Sequence, residues 1–147
     1  MRVLAALVPV CAAISACGAA DPDAPPTIVP DASVCAECDM IISDLRFATA
    51  LVVRDERGGG RALLFDDLGD QLIHEREHPE YEVLARWVHD HGTEQWVEAE
   101  SAWYLRSDAL LTPMASGLAA FADRDAAVEL GLELPGEVLE FHQLRAR

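Results

Sequence analysis

The 147-residue chain carries 26 acidic residues against 11 Lys and Arg, all of them arginine, for a formal charge of −15 with its five histidines neutral. An acidic surface of this strength excludes nucleic acid and anionic lipid as electrostatic partners, and it selects no soft metal, because carboxylates are hard ligands. The length suits one domain with a genuine core.

Arg2 precedes an apolar run over residues 3–14. The run is too short to span a bilayer and reads as the core of a signal peptide. It ends in Ile14-Ser15-Ala16-Cys17-Gly18. An aliphatic residue, two small residues and a cysteine resemble a bacterial lipoprotein signal, with residues 1–16 removed and lipid attached at Cys17. Acyl chains there would hold the protein at a membrane by burying methylenes. The plainer alternative is an ordinary signal with Cys17 incidental. Residues 17–33 include Pro22, Pro25, Pro26 and Pro30 and read as an extended linker. At about 3.1 Å per residue such a linker reaches on the order of 50 Å. The folded domain is then 34–147.

That domain opens on Cys35-Ala36-Glu37-Cys38-Asp39-Met40. Two thiols and a thioether within six residues are soft donors, which favour Cu(I) over harder divalent ions. If residues 38–40 are extended, Cys38 and Met40 point the same way, and a tight turn brings Cys35 onto the same ion. Outside the leader the remaining sulfur is Met114, in Thr112-Pro113-Met114 beside a turn. Methionine more often fills cores, yet both of these lie next to loop signals. Other readings of the C-x-x-C stay open: a short disulfide in an exported protein, a thioredoxin-like redox pair, or half of a zinc site. Zinc needs about four ligands, and with no second C-x-x-C it would have to recruit histidines.

Downstream, residues 47–53 read as a strand, Gly58-Gly59-Gly60 as a turn, and 61–65 as the returning strand. Asp66 or Asp67 caps a helix with a narrow apolar stripe of Leu68, Leu72 and Ile73, ended by Pro79. Capping, not a converging carboxylate pair, accounts for the two aspartates. Residues 84–88 and 95–99 read as strands around His89-Asp90-His91-Gly92-Thr93. Residues 102–106 and 117–121 are further strands, Asp123 caps a helix with Ala127 and Leu130 inward, and 137–141 is a closing strand. The class is α+β, a degenerate duplication of a β-β-α-β unit with mainly antiparallel pairing. His74 and His78 lie four apart among charges and read as a solvated helix face. His89 and His91 flank a turn where an imidazole could serve a metal, and His142 reads as structural or exposed. No P-loop, G-x-S-x-G or dinucleotide fingerprint is present.

Taken in order, Cys17, the Cys35-x-x-Cys38-x-Met40 run, Phe65-Asp66-Asp67 opening a helix, Trp96-Val97-Glu98-Ala99 with Ala102 and Tyr104, and Thr112-Pro113-Met114 with 117–121 resemble the NosL family. That resemblance implies a fold of two β-β-α-β repeats similar to part of organomercurial lyase. It also implies a lipoprotein that assists copper loading of nitrous oxide reductase, and no enzyme activity. By the resemblance Cys38 and Met40 are the Cu(I) ligands, with Cys35 nearby and Met114 as a further donor. The implied partners are apo nitrous oxide reductase or another exported copper protein, copper-delivery membrane machinery, and membrane lipid through Cys17, in the cell envelope facing the periplasm or extracytoplasmic space. Two departures stand out. Asp39 replaces the usual glycine, which restricts φ > 0, and Asp70 stands where members often carry cysteine or a small residue. The competing functions are an exported C-x-x-C thiol–disulfide oxidoreductase and a lipoprotein binding module without metal.

Overall fold

The structure is a computed structural model that describes residues 19–146; the expected signal peptide and Cys17 lie outside the described residues. Two copies of one plan follow each other. In the first, β1 (Thr49–Arg54) turns into β2 (Gly60–Phe65), α1 (Leu68–Glu77) crosses over, and β3 (Val83–His89) returns beside β1. A short β4 (Trp96–Glu98) extends the sheet to the order β2-β1-β3-β4. In the second, β5 (Trp103–Arg106), β6 (Leu118–Phe121), α2 (Arg124–Glu133) and β7 (Glu137–Glu140) give the order β6-β5-β7. All strand pairs within the sheets are antiparallel. The α+β duplication expected from the sequence is therefore the architecture.

Each unit buries its central strand. β1 is buried from Thr49 to Val53. On β5, alternation sends Tyr104 into one core with Val88, Leu139 and Leu68, and Leu105 into another with Ala119, Phe121 and Ala127. The first of these cores joins the two units. Tyr104 there is fully buried and its hydroxyl donates to the Ala99 carbonyl at 2.6 Å.

Two carboxylates fasten the halves. Asp90 follows β3 and forms a parallel bridge with Ala120. Its Oδ1 accepts from the amides of Gly92 and Thr93 and from the Thr93 hydroxyl, and its Oδ2 accepts from the Ala122 amide at 2.8 Å. Burial pushes the Asp90 carboxyl up, but these donors outweigh it and leave the group below the usual range. Glu75 on α1 accepts from Arg86 of β3 and from Arg145, which ends a last helix, α3 (Phe141–Arg145). Both guanidinium groups also lie over the Phe141 ring.

Local differences from the sequence reading have physical causes. The strand expected over 95–99 stops at Glu98, and residues 99–101 form a single 3-10 turn before β5. The closing strand stops at Glu140 because Phe141 opens α3, where Glu140 and Gln143 form a reciprocal capping box. On α1 the buried residues are Leu68, Asp70, Gln71 and His74, not the Leu68, Leu72, Ile73 stripe. Residues 19–33 form no helix or strand, yet they are packed and not a free linker. Ala20 donates its amide to the Gly60 carbonyl at 2.7 Å, and Ile28 packs on the cluster that holds Cys35 and Ile42. No helix among the described residues is long and apolar enough to cross a membrane.

Removing Glu75 strands two arginines against a nearly buried site, so Glu75→Ala is expected to cost about 3–5 kcal/mol, read as a lower urea midpoint. For Asp90 the depressed folded value means that its contribution is complete above the unfolded carboxyl range and is lost as pH falls through the folded one. The stability gap between the parent and Asp90→Ala should therefore narrow below about pH 4, as measured by denaturation across pH.

Candidate metal centre

Residues 34–41 form a closed loop at the edge of the first unit. Val34 and Ile41 pair as an isolated antiparallel bridge, the Cys35 amide donates to the Met40 carbonyl at 2.8 Å, and the Asp39 amide donates to the Cys35 carbonyl at 3.2 Å. The loop is tied to β2 by Ala36 N–H to the Leu64 carbonyl at 2.7 Å. Asp39 sits at φ 60°. The left-handed region is one that aspartate enters more readily than most residues, so replacing the glycine has not prevented the turn. It also means that residues 38–40 are not extended, and strand alternation is not what places Cys38 and Met40.

The loop puts its thiols against the start of α1. Cys35 Sγ donates to Asp70 Oδ2 at 3.6 Å, and Cys38 Sγ donates to Asp66 Oδ1 at 3.6 Å. One donor atom from each of Cys35, Cys38, Asp66 and Asp70 lies within 4.8 Å of every other. Both cysteines are free thiols. Cys35 is 1% exposed, Asp66 3% and Asp70 4%, while Cys38 is only partly buried. Burial pushes the Cys35 thiol up, against backbone N–H groups of Cys38, Asp66 and Glu37 that favour its thiolate. Burial also pushes the Cys38 thiol far up, reinforced by Cys35 and Asp70 and opposed by the Met40 amide. Asp70 is raised by burial and by the neighbouring Asp66 and Asp67 carboxylates, with the thiols pulling the other way. Two thiols and two carboxylates, which repel one another when ionised, are thus held together, and a bound cation would relieve that repulsion.

Asp66 and Asp67 part company at the strand-to-helix turn. Asp66 faces the thiols. Asp67 caps α1 through Gly69 N–H at 2.7 Å, and its other oxygen accepts from the Thr112 hydroxyl at 2.6 Å and the Met114 amide at 2.9 Å. The Thr112-Pro113-Met114 loop is thereby fixed to the residue next to Asp66. Met40 is 52% exposed and Met114 39%, so both thioethers are available at the surface.

Capping describes Asp67 but misses Asp66, and the sequence alone marks Asp70 only as a departure from the family pattern. The signal was the spacing: Asp66, Asp70 and His74 recur every four residues, a polar stripe that starts in the turn before α1 and continues along its inward face. His74 is buried, not solvated; its Nδ1 lies 2.7 Å from Glu37 Oε2, within the thiol loop, while its Nε2 has no hydrogen-bond partner. His78 instead pairs with Glu80 and stacks on Tyr81. The other histidines are engaged elsewhere. His89 Nδ1 bonds to the Ala48 carbonyl and its ring lies on Trp96; His91 packs between Phe47 and Phe121; His142 is exposed beside Glu140. None of the five histidines joins the four-donor group.

The crystal structure of the copper chaperone NosL from Shewanella denitrificans shares this fold, with a TM-score of 0.69 at 17% identity over 80% of this chain and 92% of that chain. No curated protein matches the sequence. The NosL family model matches residues 26–147, which takes in the thiol loop, both units and α3, and on that match the chain belongs to the NosL family.

Proposed function

We propose that the chain is a Cu(I) chaperone, a carrier and not a catalyst, anchored through lipid on Cys17 at the extracytoplasmic face of a membrane. Copper-delivery machinery in that membrane supplies the metal, and apo nitrous oxide reductase or another exported copper protein receives it. The observation that carries this reading is the pair of free thiols, Cys35 and Cys38, held side by side in a loop that continues to an exposed Met40. Thiolate and thioether sulfur suit Cu(I). Cys38, Met40 and Cys35 hold the ion, with Met114 as a further donor. The described copper chaperone of the same fold supports the reading.

Transfer follows from the gradient of burial along the loop. Cys35 is enclosed, Cys38 is half-covered and Met40 stands in solvent. A client ligand can therefore displace the outer sulfur first while the inner thiolate keeps the ion, so no free copper is released. Burial raises both thiols, the opposite of the lowered value that a nucleophilic redox cysteine needs, which argues against an oxidoreductase.

Anaerobic titration of the reduced full chain against a Cu(I) chelator should give one tightly bound equivalent. The Cys38→Ser, Met40→Leu double variant should weaken binding by at least about 100-fold (~2.7 kcal/mol); unchanged affinity would remove this site. Because the thiols are protonated at neutral pH, binding displaces their protons. Affinity should then rise with pH by about tenfold per unit for each proton released, as followed by the same competition from pH 6 to 8. Anchoring is read separately: Cys17→Ala should move the protein from the membrane to the soluble fraction.

A further inference from the structure

We propose that the cavity lined by α1, α3 and the ends of β5 and β6 is a binding site for an aliphatic carboxylate, a small monoanion with a hydrocarbon body. The site is separate from the metal centre. It uses Leu72, Ile73 and Arg76 of α1, a different face from the one that carries Asp70 and His74, and neither thiol takes part.

The cavity has a volume of about 390 Å³, within the roughly 300–1,000 Å³ of small-molecule sites. Its lining divides by chemistry. Leu72, Ile73, Leu118 and Leu144 supply the apolar part. Leu118 and Leu144 are buried, whereas Leu72 and Ile73 are only half-buried. These last two belong to the apolar stripe that the sequence marks on α1. The core takes up Leu68 and leaves its two companions lining the cavity.

The charged part of the lining is cationic, which stands out in a chain with 26 acidic residues against 11 arginines. Arg76, Arg106 and Arg145 meet one carboxylate there, Glu75. Glu75 is already held between Arg86 and Arg145, so Arg76 and Arg106 keep their charge unmatched. Elsewhere the arginines are engaged. Arg46, Arg54, Arg86 and Arg145 form ion pairs, and Arg61 and Arg124 lie over aromatic rings. Among the described residues Arg57, Arg76 and Arg106 do neither, and two of those three share this cavity. Glu137 stands across from Arg106 on β7 but does not line the cavity.

These two halves select the ligand. A guanidinium presents paired N–H groups that match a carboxylate. The four aliphatic side chains offer dispersion contacts and no ring for stacking, and the one hydroxyl in the lining is that of Ser116. A sugar or nucleotide would leave its polar groups against leucine and isoleucine without partners. A carboxylate on an aliphatic chain places its head on Arg76 and Arg106 and its body on the leucines.

The test titrates octanoate into the full chain and follows backbone amides by NMR. Octan-1-ol serves as the uncharged counterpart, and acetate and inorganic phosphate as anions without the tail. Octanoate should saturate one site with a Kd of about 1 mM or tighter, and the shifts should centre on Ile73, Leu118 and Leu144. Each of the other three probes should bind at least about tenfold more weakly, as expected when either the charged hydrogen bonds or the apolar contacts are lost. Arg76→Gln with Arg106→Gln, both at exposed positions, should weaken octanoate by at least about tenfold. Ile73→Gln should weaken octanoate but leave acetate unchanged. Equal binding of octanol and octanoate overturns the proposal, because the arginines would then have no part in it. Equal binding of phosphate, an unchanged affinity in the double arginine variant, or shifts that never saturate overturn it as well.

Discussion

The passage from β2 into α1 governs the molecule. A chain that leaves a buried strand and enters a helix within two residues must send consecutive side chains to opposite sides of the turn. Asp66 goes to the thiols and Asp67 to the Met114 loop. One turn further along, Asp70 returns to the Asp66 side and completes the group around the cysteines. The second unit repeats the passage at Phe121-Ala122-Asp123. Asp123 caps α2 as Asp67 caps α1, but Ala122 stands at the position equivalent to Asp66, and its amide serves Asp90. The position equivalent to Asp70 is Ala126, so neither carboxylate of the candidate metal centre has a counterpart in the second unit.

Much of this was legible because it depends on local pattern. The strands of β-branched and aromatic residues, the glycine turn and the two aspartate caps all lie in runs whose periodicity or capping chemistry is self-contained. What escaped depends on contacts distant in sequence. The inward face of α1 is polar because it meets the thiol loop, more than thirty residues earlier, so Asp70 and His74 were hidden from any apolar-stripe count. α3 is only five residues long, too short for a helical period to stand out from the strand before it. In the thiol loop the spacing was informative, but the assumed extended backbone was not, because Asp39 takes the left-handed conformation.

The acidity of the chain looks different once the carboxylates are placed. Inside the fold most are matched to amides, hydroxyls or arginines, and these pairings hold the units together. Those that are not matched cluster at one place, beside the only two cysteines among the described residues. Hard and soft donors thus share a small volume, with the sulfurs toward the loop and the oxygens toward α1.

The docking of the N-terminal segment has a geometric corollary. Ala20 is bonded to Gly60, the first residue of β2, whereas Asp66 follows its last. Cys17 precedes Ala20 by three residues, a span of no more than about 11 Å. β2 itself measures roughly 20 Å. A lipid at Cys17 would consequently seat the domain close to the bilayer by one end of this strand, with the strand acting as a pedestal of fixed height. The candidate metal centre, at the Asp66 end, would then lie at the end of β2 farther from such a lipid.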